Sequence, residues 1–361
     1  MSGDLYWVEE WAAIRRNELV PLPEEFSVHE DFLKSIDYEE FVSAFRQVWG
    51  MFACLYEDMA KHPDSFGLPL YKRAECDYFS PQAREARNAP HRVFIVLYNI
   101  LVSGQMIGHD FIFDATKFKT VNDVKNSPLL FERLQDSGFV CPGLKDHKFP
   151  KTETGITISY PDNRWVLAVL KQMVEKAERL NRRRDFLICH YKLFQEGLSE
   201  ANFGNGADIV ADQMYAERER DFVYALDEAL KKLGYWGHER SWNEGVGYAY
   251  YATQKEMKAK GTYHFWLLSW KSTLKLYLRI RNVEKCFEYL QECPDSVKQI
   301  FLRSDEGCAK RHNGSCKSGV RYHLNEIDYW RCGCCNAPFY FEPQIENITH
   351  YIKLVELGVK K

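Results

Sequence analysis

The sequence predicts an α+β protein, with a helical N-terminal part followed by an antiparallel-sheet domain that has a cysteine-rich end. Three observations lead there. Apolar residues recur at helical spacing through Phe41, Phe45, Val48, Phe52, Leu55 and Met59. Further on, Leu274, Leu276, Leu278 and Ile280 alternate with Lys275, Tyr277, Arg279 and Arg281, as in a half-buried antiparallel strand. The 11 cysteines are scattered, except for a cluster running from Cys308 to Cys335.

Composition sets the limits. Apolar residues make up 45%, charged residues 27% and aromatics 15% of 361 residues, enough for sizeable cores in two or three domains and too much for a disordered chain. Mean hydropathy is −0.44. No apolar run approaches the roughly 18 residues a spanning helix needs, so no membrane partner is expected. The opening MSGDLYWVEEWAAIRR has acids ahead of its basic pair and no apolar stretch, unlike a signal peptide. The expectation is a cytoplasmic protein with reduced thiols, in which the sequons at Asn313 and Asn347 carry no glycan. The net charge of −3 divides unevenly, as −9 over residues 1–83, +5 over 84–185 and +1 over 186–361. The basic middle suits a polyanion partner, and chance scatter explains it equally well. The reading divides the chain into an acidic helical segment (1–90), a middle module (91–184), an aromatic-rich α+β domain (185–303) and a cysteine-rich hairpin with a terminal helix (304–361).

In the first segment, Asp37-Tyr38-Glu39-Glu40 forms a capping-box pattern that opens a helix over 37–61, and His62-Pro63 closes it. Its aromatic stripe fits a core, or alternatively a ligand groove. In the middle, His91–Met106 is apolar nearly all round and reads as a buried helix. His109–Phe118 alternates like a strand, and Thr120 caps a short turn through Val124. Ser127 and Pro128 open a helix with Leu129, Leu130, Leu134 and Phe139 inward, and Gly138 stops it. Extended pieces at 139–144 and 155–160 flank the polar loop KDHKFPKTET. Asp162 or Asn163 then caps a long helix carrying Trp165, Val169, Met173, Ala177 and Leu180.

Helix, short helix, second helix and basic-tipped hairpin, in that order, resemble a winged helix-turn-helix. The resemblance implies a helix at 127–137 set in the major groove of double-stranded DNA through Asn126, Ser127, Arg133 and Gln135. It places Lys145, Lys148 and Lys151 on phosphates from the wing, with salt-dependent affinity. Glu132 and Asp136 repel phosphate, and winged helices also serve as plain interaction modules. The Arg182-Arg183-Arg184 run is a further backbone contact or a solvated helix end.

From Ala207 to Leu233 the chain reads as helix, ended by Gly234. Strands follow at 246–252, 262–270 and 273–281, then short helices at 283–290 and 296–302. Trp236, Trp242, Tyr248, Tyr250, Tyr263, Trp266 and Trp270 concentrate here. They are candidates for a pocket that takes a small aromatic or cationic ligand, and simple sheet packing is the alternative. This meander resembles small uncharacterised bacterial α+β domains, a likeness that implies no mechanism.

At the end, Val320–Leu324 and Ile327–Arg331 read as a hairpin turning at Asn325-Glu326. Cys332 and Cys335 form a C-x-x-C pair. With Cys308 and Cys316 they make a candidate tetrahedral site for structural zinc, for which Cys334 or His312 could substitute. Free thiols or a redox pair are the alternatives, because the first pair is spaced more widely than in a zinc ribbon. The closing FYFEPQIENITHYIKLVELG reads as strand, Pro343 and helix. Together with Ile-Ser-Tyr-Pro-Asp-Asn at 158–163, this end resembles an uncharacterised bacterial protein family over roughly residues 90–184 and 273–357, with no activity attached.

No dinucleotide, Walker or nucleophile-elbow motif occurs, and Gly204-Asn205-Gly206 is only a turn. Cys189 and His190 are neighbours on an expected helix and point about 100° apart. His109, Asp110 and Asp114 could form an acid–base group or simply be structural. The reading that gathers most of these features is transcription-regulator-like DNA binding with an aromatic sensing domain and structural zinc. The alternatives are an interaction module without DNA, and an enzyme with its site in the aromatic domain.

Overall fold

A computed structural model describes residues 5–77, 80–142, 155–198, 206–240, 245–259, 263–270, 273–305, 319–332 and 339–359. The chain is α+β and divides into two compact units, Met1–Phe203 and Gly204–Lys361.

The first unit contains α1 (Trp7–Asn17), α2 (Tyr38–Lys61), α3 (Pro81–Asn88), α4 (Arg92–Val102), β1 (Gly104–Ile107), β2 (Asp110–Phe113), α5 (Ala115–Val121), α6 (Ser127–Gln135), β3 (Ile156–Ile158), α7 (Val166–Leu180) and α8 (Arg183–Leu187). One core runs through all of it, from Trp7 to Phe194. The stripe of α2 is buried along its whole length. Phe194 is the hub, meeting Phe32, Phe41 and Phe45 edge-on with ring centroids 5.1, 4.8 and 5.3 Å apart. Asp37 caps α2 by accepting the Glu40 N–H at 2.8 Å, while the Glu40 carboxylate takes a bond from Arg164 at 3.1 Å.

The expected helix through Met106 stops at Val102 because β1 begins at Gly104. A Cβ there would lie 2.2 Å from the Ile112 carbonyl oxygen, so only glycine lets the two strands close. The expected strand to Phe118 likewise ends at Phe113. Asp114 accepts the N–H groups of Thr116 and Lys117 at 2.7 and 3.1 Å and starts α5. β2 lies between β1 and β3, both antiparallel to it, and Ser159 exchanges two backbone bonds with Val140. Asn163 accepts the Trp165 N–H at 3.0 Å just ahead of α7.

The second unit contains α9 (Asp208–Ala211), α10 (Glu217–Lys232), β4 (Trp236–Glu239), β5 (Gly245–Tyr251), α11 (Gln254–Lys258), β6 (Phe265–Trp270), β7 (Thr273–Leu278), α12 (Phe287–Leu290), α13 (Asp295–Phe301), β8 (Val320–Leu324), β9 (Ile327–Arg331), β10 (Phe339–Phe341) and α14 (Ile348–Val359). The helix expected from Ala207 is broken before α10. Arg220 turns back to hydrogen-bond the carbonyls of Met214 and Tyr215 at 2.8 and 3.1 Å, which fixes the break. The main sheet is antiparallel in the order β10-β7-β6-β5-β4, so β4 and β10 are its edges. β8 and β9 form the expected separate hairpin. Asn325 and Glu326 both have positive φ, 51° and 63°, as a two-residue turn between right-twisted strands requires.

Near the start of α4, the Tyr56 hydroxyl lies 3.1 Å from His91 Nδ1 and donates to the Leu187 carbonyl at 3.3 Å. Desolvation holds the His91 imidazole well below its ordinary pKa, and the charges of Arg15 and Arg184 add to the effect. The folded unit therefore keeps this ring neutral where the unfolded chain protonates it, near pH 6.5. Stability is complete above about pH 6.5 and is lost as pH falls toward the folded value. Urea unfolding between pH 7 and 5 should show this decline, and His91→Gln should flatten it. An identical slope in the variant would remove His91 from the account.

Candidate functional site

The two-residue period of a strand gives the main sheet two different faces. Val246, Tyr248, Tyr250, Phe265, Leu267, Leu274, Leu276, Leu278, Phe339 and Phe341 point to the side that joins the core with α10 and α14. Ala249, Tyr251, Trp266 and Leu268 point to the other side and gather with Tyr263 into a small cluster, on which Tyr277 and Met257 pack. This outer face is the candidate site.

Strand register sets Ala249, Trp266, Tyr277 and Tyr340 in one row across β5, β6, β7 and β10. The rings of Trp266 and Tyr277 lie 5.1 Å apart, those of Tyr277 and Tyr340 6.0 Å, both tilted by about 40°. Trp266 is buried, Tyr277 half-buried and Tyr340 39% exposed, so the row climbs from the core to the surface. The Trp266 indole crosses over Gly247, where a Cβ would lie 2.4 Å from Nε1.

Cations crown these rings. The Arg240 guanidinium sits 4.7 Å from the Tyr263 ring centre and 5.9 Å from that of Trp266. Arg303 lies 5.4 Å over Tyr340, and Lys275 is paired with Glu342 at 3.0 Å. Past the end of β7, Arg279 donates its backbone N–H to the His264 carbonyl, and Ile280 lies in the core on the opposite side. Burial lowers the pKa of Arg279, as do the charges of Arg281 and Arg240, and Tyr263 opposes the shift. Burial, Arg279 and Arg281 also lower the pKa of His264, against Glu256. Among the described residues, none of Arg240, Arg279 and Arg281 has an ion-pair partner.

Among the described residues, the aromatic ones singled out from sequence fall on both faces of the sheet. Tyr248 and Tyr250 face the helices. Tyr250 donates to Asp227 at 3.0 Å, and the Tyr248 ring, whose pKa burial pushes up to about 12, covers Gly237. Tyr263 and Trp266 are on the outer side, as is exposed Trp236, which stands opposite Tyr251. Trp270 belongs to β6 by its backbone, its side chain being outside the described part, and Trp242 lies outside the described residues. Tyr277, Arg279 and Arg281 were readable in the alternation of the last long strand. Arg240, Arg303 and Tyr340 were not, because they arrive from elements distant in sequence.

In the first unit, α6 packs its Leu130, Phe131 and Leu134 into the core. Ser127 is buried with them, Asn126 is exposed with φ of 60°, and Gln135 is half-exposed. Arg133 lies 3.4 Å from Glu132 and 3.0 Å from Asp136, beside a cleft of about 370 Å³ that also includes Glu57 and Asp58 of α2. Lys145, Lys148 and Lys151 lie outside the described residues. The Arg182–Arg184 run is folded inward, with Arg182 pairing with Asp185 at 2.6 Å and Arg183 donating to Asn99 at 2.9 Å.

At the cysteine-rich end, Cys332 follows β9, whereas Cys308, Cys316, Cys334, Cys335 and His312 lie outside the described residues. Asp305 clamps this end of the hairpin. It accepts from Arg331 and from the Cys332 N–H, both at 2.8 Å, and donates its own N–H to the Trp330 carbonyl at 3.0 Å. Among the described residues, no group of three His, Cys, Asp or Glu is placed to hold a metal ion.

The other candidates take structural places. Cys189 does not continue a helix, since α8 ends at Leu187 and Cys189 has φ of 50°. Its thiol is buried, and burial raises its pKa. His109 packs edge-on against Trp165 at 4.9 Å, and Asp114 is a helix cap.

Comparison with protein families, curated proteins and solved structures finds no match to this chain.

Replacing Gly247 with Ala should push the Trp266 indole off the sheet. Tryptophan emission should move to longer wavelength, with a cost of about 1–3 kcal/mol in urea unfolding. Unchanged emission and stability would show that the indole does not need this glycine.

Proposed function

We propose that the protein is a binding module without DNA readout, taking a small ring-bearing ligand on the outer face of its C-terminal sheet. The row Trp266–Tyr277–Tyr340 carries this reading, because its outer rings reach solvent on a sheet whose other side already holds the core. A ring laid against Tyr340, the exposed end of the row, would bury apolar surface that is now wet, and aromatic stacking of this kind contributes about 1–3 kcal/mol per ring. The test is quenching of tryptophan fluorescence in the full chain by adenosine and by caffeine, two uncharged planar probes that do not emit in the tryptophan range. Saturable quenching should weaken about fivefold or more in Tyr277→Ala and Tyr340→Ala. No saturable quenching by either probe, or quenching indifferent to both substitutions, overturns the reading.

The N-terminal unit fits a winged-helix-like arrangement in the order α4, β2, α5, α6, the Val140 bridge and β3, with β3 between β2 and Val140. A duplex-reading role finds little support on α6. The charge of its one arginine is shared between Glu132 and Asp136, and the adjoining cleft is lined by Glu57 and Asp58 as well as Lys61. The module serves on this reading as an interaction or scaffolding part.

The cysteine-rich end is read as a structural zinc staple formed by Cys308, Cys316, Cys332 and Cys335. Its support is the Asp305 clamp, which ties the start of the segment bearing Cys308 and Cys316 to the residue that opens the C-x-x-C pair. Elemental analysis of purified protein should find about one zinc per chain, and less than about 0.2 would dismiss the staple.

A further inference from the structure

We propose that the ligand of the outer sheet face is a planar ring carrying an anionic group of the phosphate type, with Arg240, Arg279 and Arg281 as the anion-binding residues. The inference rests on the ring-binding reading above and adds the charge and the end of the face where that charge is held.

Along β7 and its extension, Lys275, Tyr277, Arg279 and Arg281 alternate with Leu276, Leu278 and Ile280, which are buried in the core. A ring placed on Tyr277 thus has Arg279 next along the same side of the strand, about 7 Å away by strand geometry. Arg240 reaches the same ground from the strand edge, over Tyr263 and Trp266. The backbone N–H groups of Arg279 and Arg281 are bonded to His264 and Gly358, so the chain that carries the two side chains is held in place.

The electrostatics point the same way. The charges of Arg281 and Arg240 both bear on Arg279, and among the described residues no carboxylate ion-pairs with any of the three. Glu256 is the acid felt at neighbouring His264, and Glu342 is occupied by Lys275 at the other end of the row. Like charges brought together on a half-buried surface repel one another, and an anion with several acceptor oxygens relieves that repulsion. A cationic ligand, the other chemistry that aromatic faces accept, would add to it. A phosphate suits forked donors better than a halide because each guanidinium offers two parallel N–H groups.

The test compares AMP, adenosine, inorganic phosphate and a single-stranded octadeoxyadenylate on the full chain at low salt. AMP should bind about tenfold or more tighter than adenosine, and added salt should erase the difference. Arg279→Ala and Arg281→Ala should each remove most of the AMP advantage and leave adenosine affinity unchanged, and Arg279→Lys should keep part of it. Urea unfolding of each variant identifies any loss that is only misfolding, in which case the salt dependence of the unaltered protein decides. Equal affinity for AMP and adenosine, with adenosine still bound, overturns the phosphate assignment and leaves the ring site standing. Failure of both removes the ring site and this inference together. Binding of the oligonucleotide without AMP overturns the inference in favour of a nucleic-acid strand. Binding of inorganic phosphate as tightly as AMP overturns the ring as part of the recognised group.

Discussion

An antiparallel strand turns each successive side chain to the opposite face, and in the C-terminal unit this two-residue period decides what becomes core and what becomes surface. Leu274, Leu276, Leu278 and Ile280 commit one side of β7 to α10 and α14, and the other side is then left to Lys275, Tyr277, Arg279 and Arg281. Pairing carries the division across the sheet. Trp266 opposes Tyr277 because Leu267 opposes Leu276, and Tyr340 opposes Tyr277 because Phe341 opposes Leu276. A slip of one residue would bury the arginines and expose the leucines, so the helix-covered core fixes the composition of the outer face at a distance.

The N-terminal unit is organised differently. Its small sheet has strands of only three or four residues, and order comes from the aromatic packing of α2 against Phe194 and Phe32. Polar groups close this core where side chains cross between elements. Tyr56 ties α2 to His91 and Leu187, and Tyr160 donates to the Ser137 carbonyl while accepting from Gln47. Such bonds fix the relative placement of elements without adding apolar surface, and burial is what makes them specific.

Much of this was legible in the residues. Long periodic patterns were the most readable, as with the stripe of α2, the alternation of β7 and the Asn325-Glu326 turn, since each rests on local rules. Short elements were harder. The strand expected through Phe118 ends early because Asp114 caps a helix, a signal outweighed in the sequence by alternation on both sides of it. The helix expected at Ala207 breaks because Arg220 bonds carbonyls five and six residues back, which no period announces. The aromatic residues were correctly seen as concentrated, but concentration along the chain does not give the face. Tyr248 and Tyr250 went to the core, and Tyr277 and Tyr340, outside the predicted set, hold the accessible end of the row. Arg240 and Arg303 reach the rings through tertiary contact alone.

The strand β4 is an open border of the main sheet. Its outer rim offers backbone donors and acceptors that a foreign strand could use to zip onto the sheet and begin a fibre. The strand is only four residues long and runs through His238 and Glu239 directly into Arg240, so charges of both signs stand where an incoming chain would have to align. The same arginine that stacks over Tyr263 thus stands at the end of a border that resists aggregation. Any substitution of that arginine would also alter how well the protein tolerates crowding.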